Sequence, residues 1–230
     1  MEAILFDWDG TLADSQVALF NANAAVMVAF GLPFDRHLYR LHYSPDWRLM
    51  YQRLGVPAGR VPEANAIWQD AYGGAEQVEL FPGVREALSF LAVSGHVLGV
   101  VTSGHGAVVG PQIERLGLGE LLSIRVFGDD LSEQKPDPAP LLRALAIGGL
   151  AGAARSALYV GDAPEDMQMA VRAGVRAVGV TSGMGEPDAL TAAGAAEISD
   201  SVAAWVMGDP GRPSAAPASE PGMPRRPHGA

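Results

Sequence analysis

The chain has 230 residues, 48% of them hydrophobic and 18% charged, with a formal net charge of -10 and no cysteine. That is the balance of a globular protein long enough to bury a sizeable core, as one compact domain with an insertion or as two small domains. It excludes disulfides, thiolate catalysis and cysteine-ligated zinc, and the acidity argues against nonspecific nucleic-acid binding, which needs clustered Lys and Arg.

The apolar run Ala3 to Phe6 reads as a first strand that exits at once into Asp7-Trp8-Asp9-Gly10-Thr11. Taken alone, Asp-Gly after such a run signals a hairpin turn. The other reading puts Asp7 and Asp9 at the carboxyl end of a buried strand, where open α/β sheets place their ligand sites. The N-terminus lacks a basic region and its apolar stretch stops at Asp7, so no signal peptide is expected. Residues 15–77 then carry helical periodicity without convincing strands. SQVALFNANAAVMVAFG and PDWRLMYQRLG each end on a helix-stop glycine, Gly31 and Gly55. A helical insertion after the first strand follows.

From Phe81 the pattern alternates. VREALSFLAVSG, VVGPQIERLG, APLLRALAIGG and PEDMQMAVRAG read as helices, and HVLGVVT, SIRVFG, SALYVGD and VRAVGVT as the strands between them. Alternation of this kind predicts a doubly wound, Rossmann-like parallel sheet with helices on both faces, built from residues 1–14 and 78–206. Short apolar strands such as ALYV and AVGV suit central positions. The most apolar stretch, ALSFLAVSGHVLGVVTSG, is broken by Ser94, Gly95 and His96, so it reads as a helix end and a strand rather than a membrane span. A cytoplasmic protein with no membrane contact is expected. Ten of the 23 residues from Gly208 onward are Pro or Gly, which predicts a disordered tail over 207–230. Its adjacent Arg225 and Arg226 are too few for a binding patch.

In a doubly wound sheet all strands open onto one edge at their carboxyl ends. There the sequence puts Asp7 and Asp9 after the first strand, Thr102-Ser103-Gly104 after HVLGVV, Lys135-Pro136-Asp137-Pro138 near the next, and Asp162 and Asp166 after SALYV. Each has an ordinary structural reading: a helix-capping stretch for Thr102-Ser103-Gly104, a solvated lysine beside a turn for Lys135, an N-cap and a first-turn acid for Asp162 and Asp166. Their convergence on one edge overturns these readings.

With DWDGT, VVTSG, QKPDP and GDAPED in this order, the chain resembles the haloacid dehalogenase-like (HAD) hydrolases, and their phosphoglycolate phosphatase-like branch in particular, over residues 1 to about 205. The resemblance implies a Mg2+-dependent phosphatase acting on a small phosphorylated metabolite, with residues 15–77 as an α-helical cap over the α/β core. It implies Asp7 as the nucleophile that forms an aspartyl-phosphate, and Asp9 as general acid and then base. Thr102, Ser103, Gly104 and Lys135 would hold the phosphoryl oxygens. Asp7, the backbone carbonyl of Asp9 and Asp162 would hold the metal, with Asp166 acting through water or orienting Lys135. Dehalogenases of the family lack the second aspartate, so Asp9 favours phosphate chemistry. Arg48, near a helix start in LHYSPDWRLMYQRLG, is the candidate anion-recognising cap residue; a solvated arginine is the competing reading, and His105 is open to the same two readings. Trp8, Met167 and Met169 are read as packing. A phosphomutase of the same family, such as a beta-phosphoglucomutase, would use the same core. A receiver-like phosphoacceptor domain shares the aspartates, Thr and Lys but places its acceptor later and has no inserted cap. Monomer and homodimer stay equally open.

Overall fold

The strands, in chain order, are β1 (Ala3–Phe6), β2 (Ala13–Asp14), β3 (Glu79–Leu80), β4 (Val97–Val101), β5 (Leu122–Val126), β6 (Ala157–Gly161), β7 (Arg176–Val180) and β8 (Glu197–Ser199). They belong to a computed structural model that describes residues 3–72, 78–152 and 154–208. All four residues of β1 are buried. A strand without polar alternation has to be covered on both faces, and β1 lies inside a six-stranded parallel sheet of order β5-β4-β1-β6-β7-β8.

Successive side chains of a strand point to opposite faces, and β1 feeds two separate cores accordingly. Ile4 and Phe6 pack with Val84 and Leu88 of α5 (Val84–Val93), Val109 and Ile113 of α6 (Gly106–Arg115) and Val202 of α10 (Val202–Met207). Ala3 and Leu5 pack with Leu141 and Leu145 of α7 (Ala139–Ile147), Met167 and Ala170 of α8 (Pro164–Arg172) and Leu190 of α9 (Pro187–Ala192). Met169 is buried in this second core with Met167, so both methionines are packing, as expected. Each such aliphatic or aromatic side chain contributes roughly 1.5–3 kcal/mol when fully buried.

The expected insertion has no strand among its described residues and holds four α-helices: α1 (Gln16–Phe30), α2 (Arg36–His42), α3 (Trp47–Arg53) and α4 (Val61–Tyr72). These four helices bury a third core of their own, including Met27, Met50, Tyr51 and Val61. The strands β2 and β3 pair antiparallel, Ala13 with Leu80 and Asp14 with Glu79. The chain therefore leaves for the insertion and returns from it side by side. Residues 73–77 lie outside the described residues, as does the expected disordered tail (207–230) from 209 onward; its first residue, Met207, is the last of α10. Among the described residues no helix is long and apolar enough to cross a membrane.

Trp8 joins these parts. It is completely buried, and its indole Nε1 donates to Gln112 Oε1 at 2.8 Å, while Gln112 Nε2 donates to the Tyr72 hydroxyl at 2.8 Å. One polar chain thus links the exit of β1, α6 and the last residue of α4. Because Gln112 is itself buried, Trp8→Phe would strand its amide oxygen. Removing one partner of a buried hydrogen bond costs about 1–3 kcal/mol. Urea denaturation should show Trp8→Phe less stable by that amount, and an unchanged midpoint would deny Trp8 this tie.

Candidate active site

The sheet order makes β1 the switch point: from it the chain fills out β4 and β5 on one side and then β6, β7 and β8 on the other. The loops on either side of such a point diverge and leave a crevice at the strands' carboxyl ends. Asp7 directly follows β1, and its amide donates to Val160 O at 2.8 Å. Thr102 directly follows β4, and its amide donates to Val126 O at 3.0 Å. Asp162 directly follows β6, and Lys135 comes from the loop between β5 and α7.

Lys135 is not solvated. Its Nζ lies 2.6 Å from Asp7 Oδ1 and 2.8 Å from Asp166 Oδ1, with all three side chains buried. Burial alone would pull the ammonium's pKa down, but the charges of Asp166 and Asp7 outweigh it and hold Lys135 above the ordinary lysine range. Burial pushes the Asp7 carboxyl well up; Lys135 opposes that shift, and Asp166 and Asp162 add to it. Asp166 also accepts from the Ala163 amide at 3.1 Å through Oδ2, so it closes the first turn of α8 while it faces the lysine. The Tyr159 hydroxyl lies 2.8 Å from Val101 O and 3.2 Å from Asp166 Oδ1.

Asp162 is cradled rather than used as an N-cap, since Ala163 takes that position. Thr11 Oγ1 donates to its Oδ1 at 3.1 Å and the Met184 amide to its Oδ2 at 2.8 Å. Burial and the neighbouring Asp166 charge push its pKa up to about 7 against these two donors and Lys135. The cradle is closed by glycines. Gly10 has φ +81°, and a Cβ there would sit 2.6 Å from Asp162 Oδ2; a Cβ on Gly183 would sit 1.8 Å from the same atom. The Asp-Gly of the opening motif is therefore a tight turn against a carboxylate, not a hairpin between ladder strands.

Asp9 is half-buried and accepts from Ser15 Oγ at 2.5 Å. Burial raises its carboxyl above the usual range, with the Ser15 bond and the charge of Lys135 pulling the other way. Thr102 Oγ1 accepts from the Gly104 amide at 3.0 Å, and the helix that follows is capped at His105, so this stretch is a turn of its own. The buried Ser103 Oγ has no hydrogen-bond partner among the described residues. A cleft of about 40 Å³ is lined by Asp7, Asp9, Thr102, Ser103, Gly104, Lys135 and Asp166, among others.

The structure thus brings together every predicted site residue except one. Arg48 is exposed, and its guanidinium lies 4.4 Å from the centroid of the Trp47 ring. It lines neither this cleft nor the larger cavity beside it. Position after a helix start does not fix which way a side chain turns, and here the indole holds the cation on the outer surface. His105 does line the larger cavity. The sequence reading missed Thr11, Ser15, Tyr159 and the Met184 amide. Thr11 had a signal, being part of DWDGT, whereas the other three meet the site only through the fold.

Asp7, Asp162 and Asp166 each offer an oxygen, and these atoms lie within 4.8 Å of one another. One ammonium pairs with two of these three carboxylates, and hard oxygen donors with surplus negative charge suit a divalent cation. The residues therefore fit a metal ion.

A doubly wound sheet with this acidic, lysine-bridged cluster at its switch point frames the site, and sequence comparison identifies the family. The model of the haloacid dehalogenase-like hydrolases matches residues 4–180, and the chain belongs to that family. A phosphoglycolate phosphatase of Pectobacterium atrosepticum is 35% identical over 202 residues, covering 83% of this chain and 84% of its own. One from Yersinia pseudotuberculosis is 33% identical over 200 residues, covering 83% and 85%. The crystal structure of a hydrolase from Pseudomonas syringae superposes with a TM-score of 0.76 at 26% identity, over 88% of this chain and 95% of that one.

Gly183→Ala tests the cradle without reference to any ligand. The added carbon cannot coexist with Asp162 Oδ2 at 1.8 Å, so the loop or the carboxylate must shift. Overpacking of this kind costs about 1–3 kcal/mol, which thermal denaturation should register. A melting temperature equal to wild type would mean that the loop does not close on Asp162.

Proposed function

We propose that the protein is a Mg2+-dependent phosphatase that hydrolyses a small phosphomonoester through a phosphorylated Asp7. The observation that carries this reading is the buried Asp7–Lys135–Asp166 network, with Asp9 two residues beyond Asp7 at the switch point of the sheet. The names of the relatives support it. Residues 15–77 act as the cap that covers this edge.

Asp7 attacks phosphorus, and the bond from phosphorus to the leaving oxygen breaks as that oxygen takes the proton of Asp9. The raised pKa of Asp9 favours the protonated form this step needs. Asp9, now ionised, takes a proton from water as the water attacks the phosphoaspartate; inorganic phosphate leaves and Asp7 is restored. Lys135 and the hydroxyls of Thr102 and Ser103 face the phosphoryl oxygens, and the unpartnered Ser103 Oγ is a donor in waiting. Asp7, the backbone carbonyl of Asp9 and Asp162 would hold Mg2+, while Asp166 orients Lys135. The ion would neutralise charge on the phosphoryl oxygens and lower the repulsion between two anions.

Chelation should abolish hydrolysis of p-nitrophenyl phosphate, and added magnesium should restore it; full activity in excess chelator would overturn the metal assignment. Asp7→Asn should form no phosphoenzyme, since an amide is a very poor nucleophile. Asp9→Asn keeps its backbone carbonyl but loses proton transfer, worth about 10²- to 10⁴-fold. With p-nitrophenol as leaving group the second step suffers more, so this variant should show a burst, slow turnover and a covalent phosphate detectable by intact mass after rapid quenching. Wild-type turnover by Asp9→Asn would overturn these roles. Transfer to a sugar hydroxyl in place of water would indicate a mutase.

A further inference from the structure

The phosphoryl cleft opens at Asp9, Tyr43, Pro45, Ser103 and Gly104 onto a cavity of about 140 Å³ between the sheet edge and the inserted helices. The chemistry of its walls is one-sided. Six aromatic side chains line it: Tyr39, Tyr43, Trp47, Tyr51, Trp68 and Tyr72. They hold one another in place, with Trp68 stacked on Tyr72 at 4.6 Å between centroids and Trp47 edge-on to Tyr51 at 5.9 Å. Among the described residues no lysine or arginine lines the cavity; His105 is the one basic side chain there and Asp9 the one acidic one.

Four side-chain amides complete the lining among the described residues. Two are committed to the protein: Asn23 accepts from the Tyr51 hydroxyl at 3.0 Å, and Gln112 bridges Trp8 and Tyr72. The other two, Asn65 and Gln69, are one turn apart on α4 and have no hydrogen-bond partner among the described residues. Residues i and i+4 share a helix face, so this pair offers donors and acceptors to whatever fills the space.

Resting on the phosphatase reading, we propose that the leaving group is a neutral, ring-bearing alcohol, held between aromatic faces and hydrogen-bonded by Asn65 and Gln69, rather than a short carboxylic acid such as glycolate. Aromatic walls suit a ring, and polar groups few in number then set its orientation. A carboxylate placed here would be desolvated beside Asp9 with no arginine or lysine to pair it, and an unpaired buried charge is costly. Arg36 and Arg40 line a second, smaller cleft that shares Asp9, Tyr39 and Tyr43 with this cavity and also touches Gly10 and Asp162; neither lines the aromatic cavity itself. The cavity's shared chemistry does not separate a sugar from a nucleoside; the assay does.

The test compares alkyl phosphates, whose leaving groups are of similar reactivity: glucose 6-phosphate, adenosine 5'-monophosphate and 2-phosphoglycolate, with p-nitrophenyl phosphate as the control for phosphatase activity itself. At least one of the two ring-bearing esters should exceed 2-phosphoglycolate in kcat/KM by about tenfold or more, and the better of the two identifies the source. Gln69→Arg, at an exposed position that tolerates a longer side chain, should narrow the ratio by raising turnover of 2-phosphoglycolate. Equal or better turnover of 2-phosphoglycolate by wild type would overturn the proposal, the more so if Arg36→Ala or Arg40→Ala removed that preference. Failure to hydrolyse p-nitrophenyl phosphate would instead overturn the phosphatase reading beneath it. A readout free of turnover comes from Trp47 and Trp68. In Asp7→Asn, the preferred ring-bearing ester should change tryptophan fluorescence at concentrations where 2-phosphoglycolate does not, and an equal response to both would again count against the proposal.

Discussion

The ammonium of Lys135 between Asp7 and Asp166 is the constraint on which the rest of the site depends. Three carboxylates lie within one small buried volume, and without a cation they would neutralise themselves by taking up protons. Removing one partner from a buried ion pair commonly costs about 3–5 kcal/mol, because the other charge is left uncompensated. The same contact is also a tie across the fold. Asp7 directly follows the central strand, Lys135 lies on the loop after β5, and Asp166 lies on the first turn of α8, which follows β6. The two halves of the sheet on either side of the switch point are thus fixed to each other at the edge where the chemistry would occur.

The inserted helices are registered to that edge by a different set of contacts. The β2–β3 pair holds the two chain crossings together, and the Trp8–Gln112–Tyr72 chain anchors the end of α4 to α6 and to the exit of β1. Ser15, the residue before α1, donates directly to Asp9. The insertion begins, in other words, on the carboxylate that would handle the proton. A bulky Trp8 between two aspartates is understandable on this basis: one side chain packs the core and carries the tie, while its neighbours face the crevice.

Most of this architecture was legible because it rests on local signals. The buried first strand, the alternation after Phe81 and the acidic residues at strand ends each follow from runs of a few residues, and their common edge follows from parallel topology. What was not legible depends on contacts between distant positions. The strands β2 and β3 are two residues each and pair across more than sixty positions, so Ala-Asp and Glu-Leu carry no strand signal of their own. The last strand, Glu197–Ser199, has only three residues and lies at the sheet edge. Gly183 and the Met184 amide reach Asp162 from the loop after β7, a closeness only the assembled sheet creates. Arg48 illustrates the converse failure. Its charge suited the role, but recognition requires direction as well as charge, and its guanidinium turns outward onto Trp47.

Direction and charge also explain the use of basic residues across the molecule. Lys135 is the only lysine in the chain; the other fifteen of its sixteen basic Lys and Arg residues are arginines. Arginine serves where a planar fork is useful, as in the two-oxygen contact of Arg60 with Glu63 or the stacking of Arg36 on Phe20. Between Asp7 and Asp166 the demand is different. Two carboxylates from separate elements approach one nitrogen at 2.6 and 2.8 Å, with the Tyr159 ring 5.5 Å away, and a third partner has to be reachable when a phosphoryl group enters. A compact point charge with three donors on a flexible stem meets that demand, whereas a guanidinium spreads its charge over a rigid plane and would need more room than the cleft leaves. The residue that holds the site together is therefore also the one whose chemistry the site could least exchange.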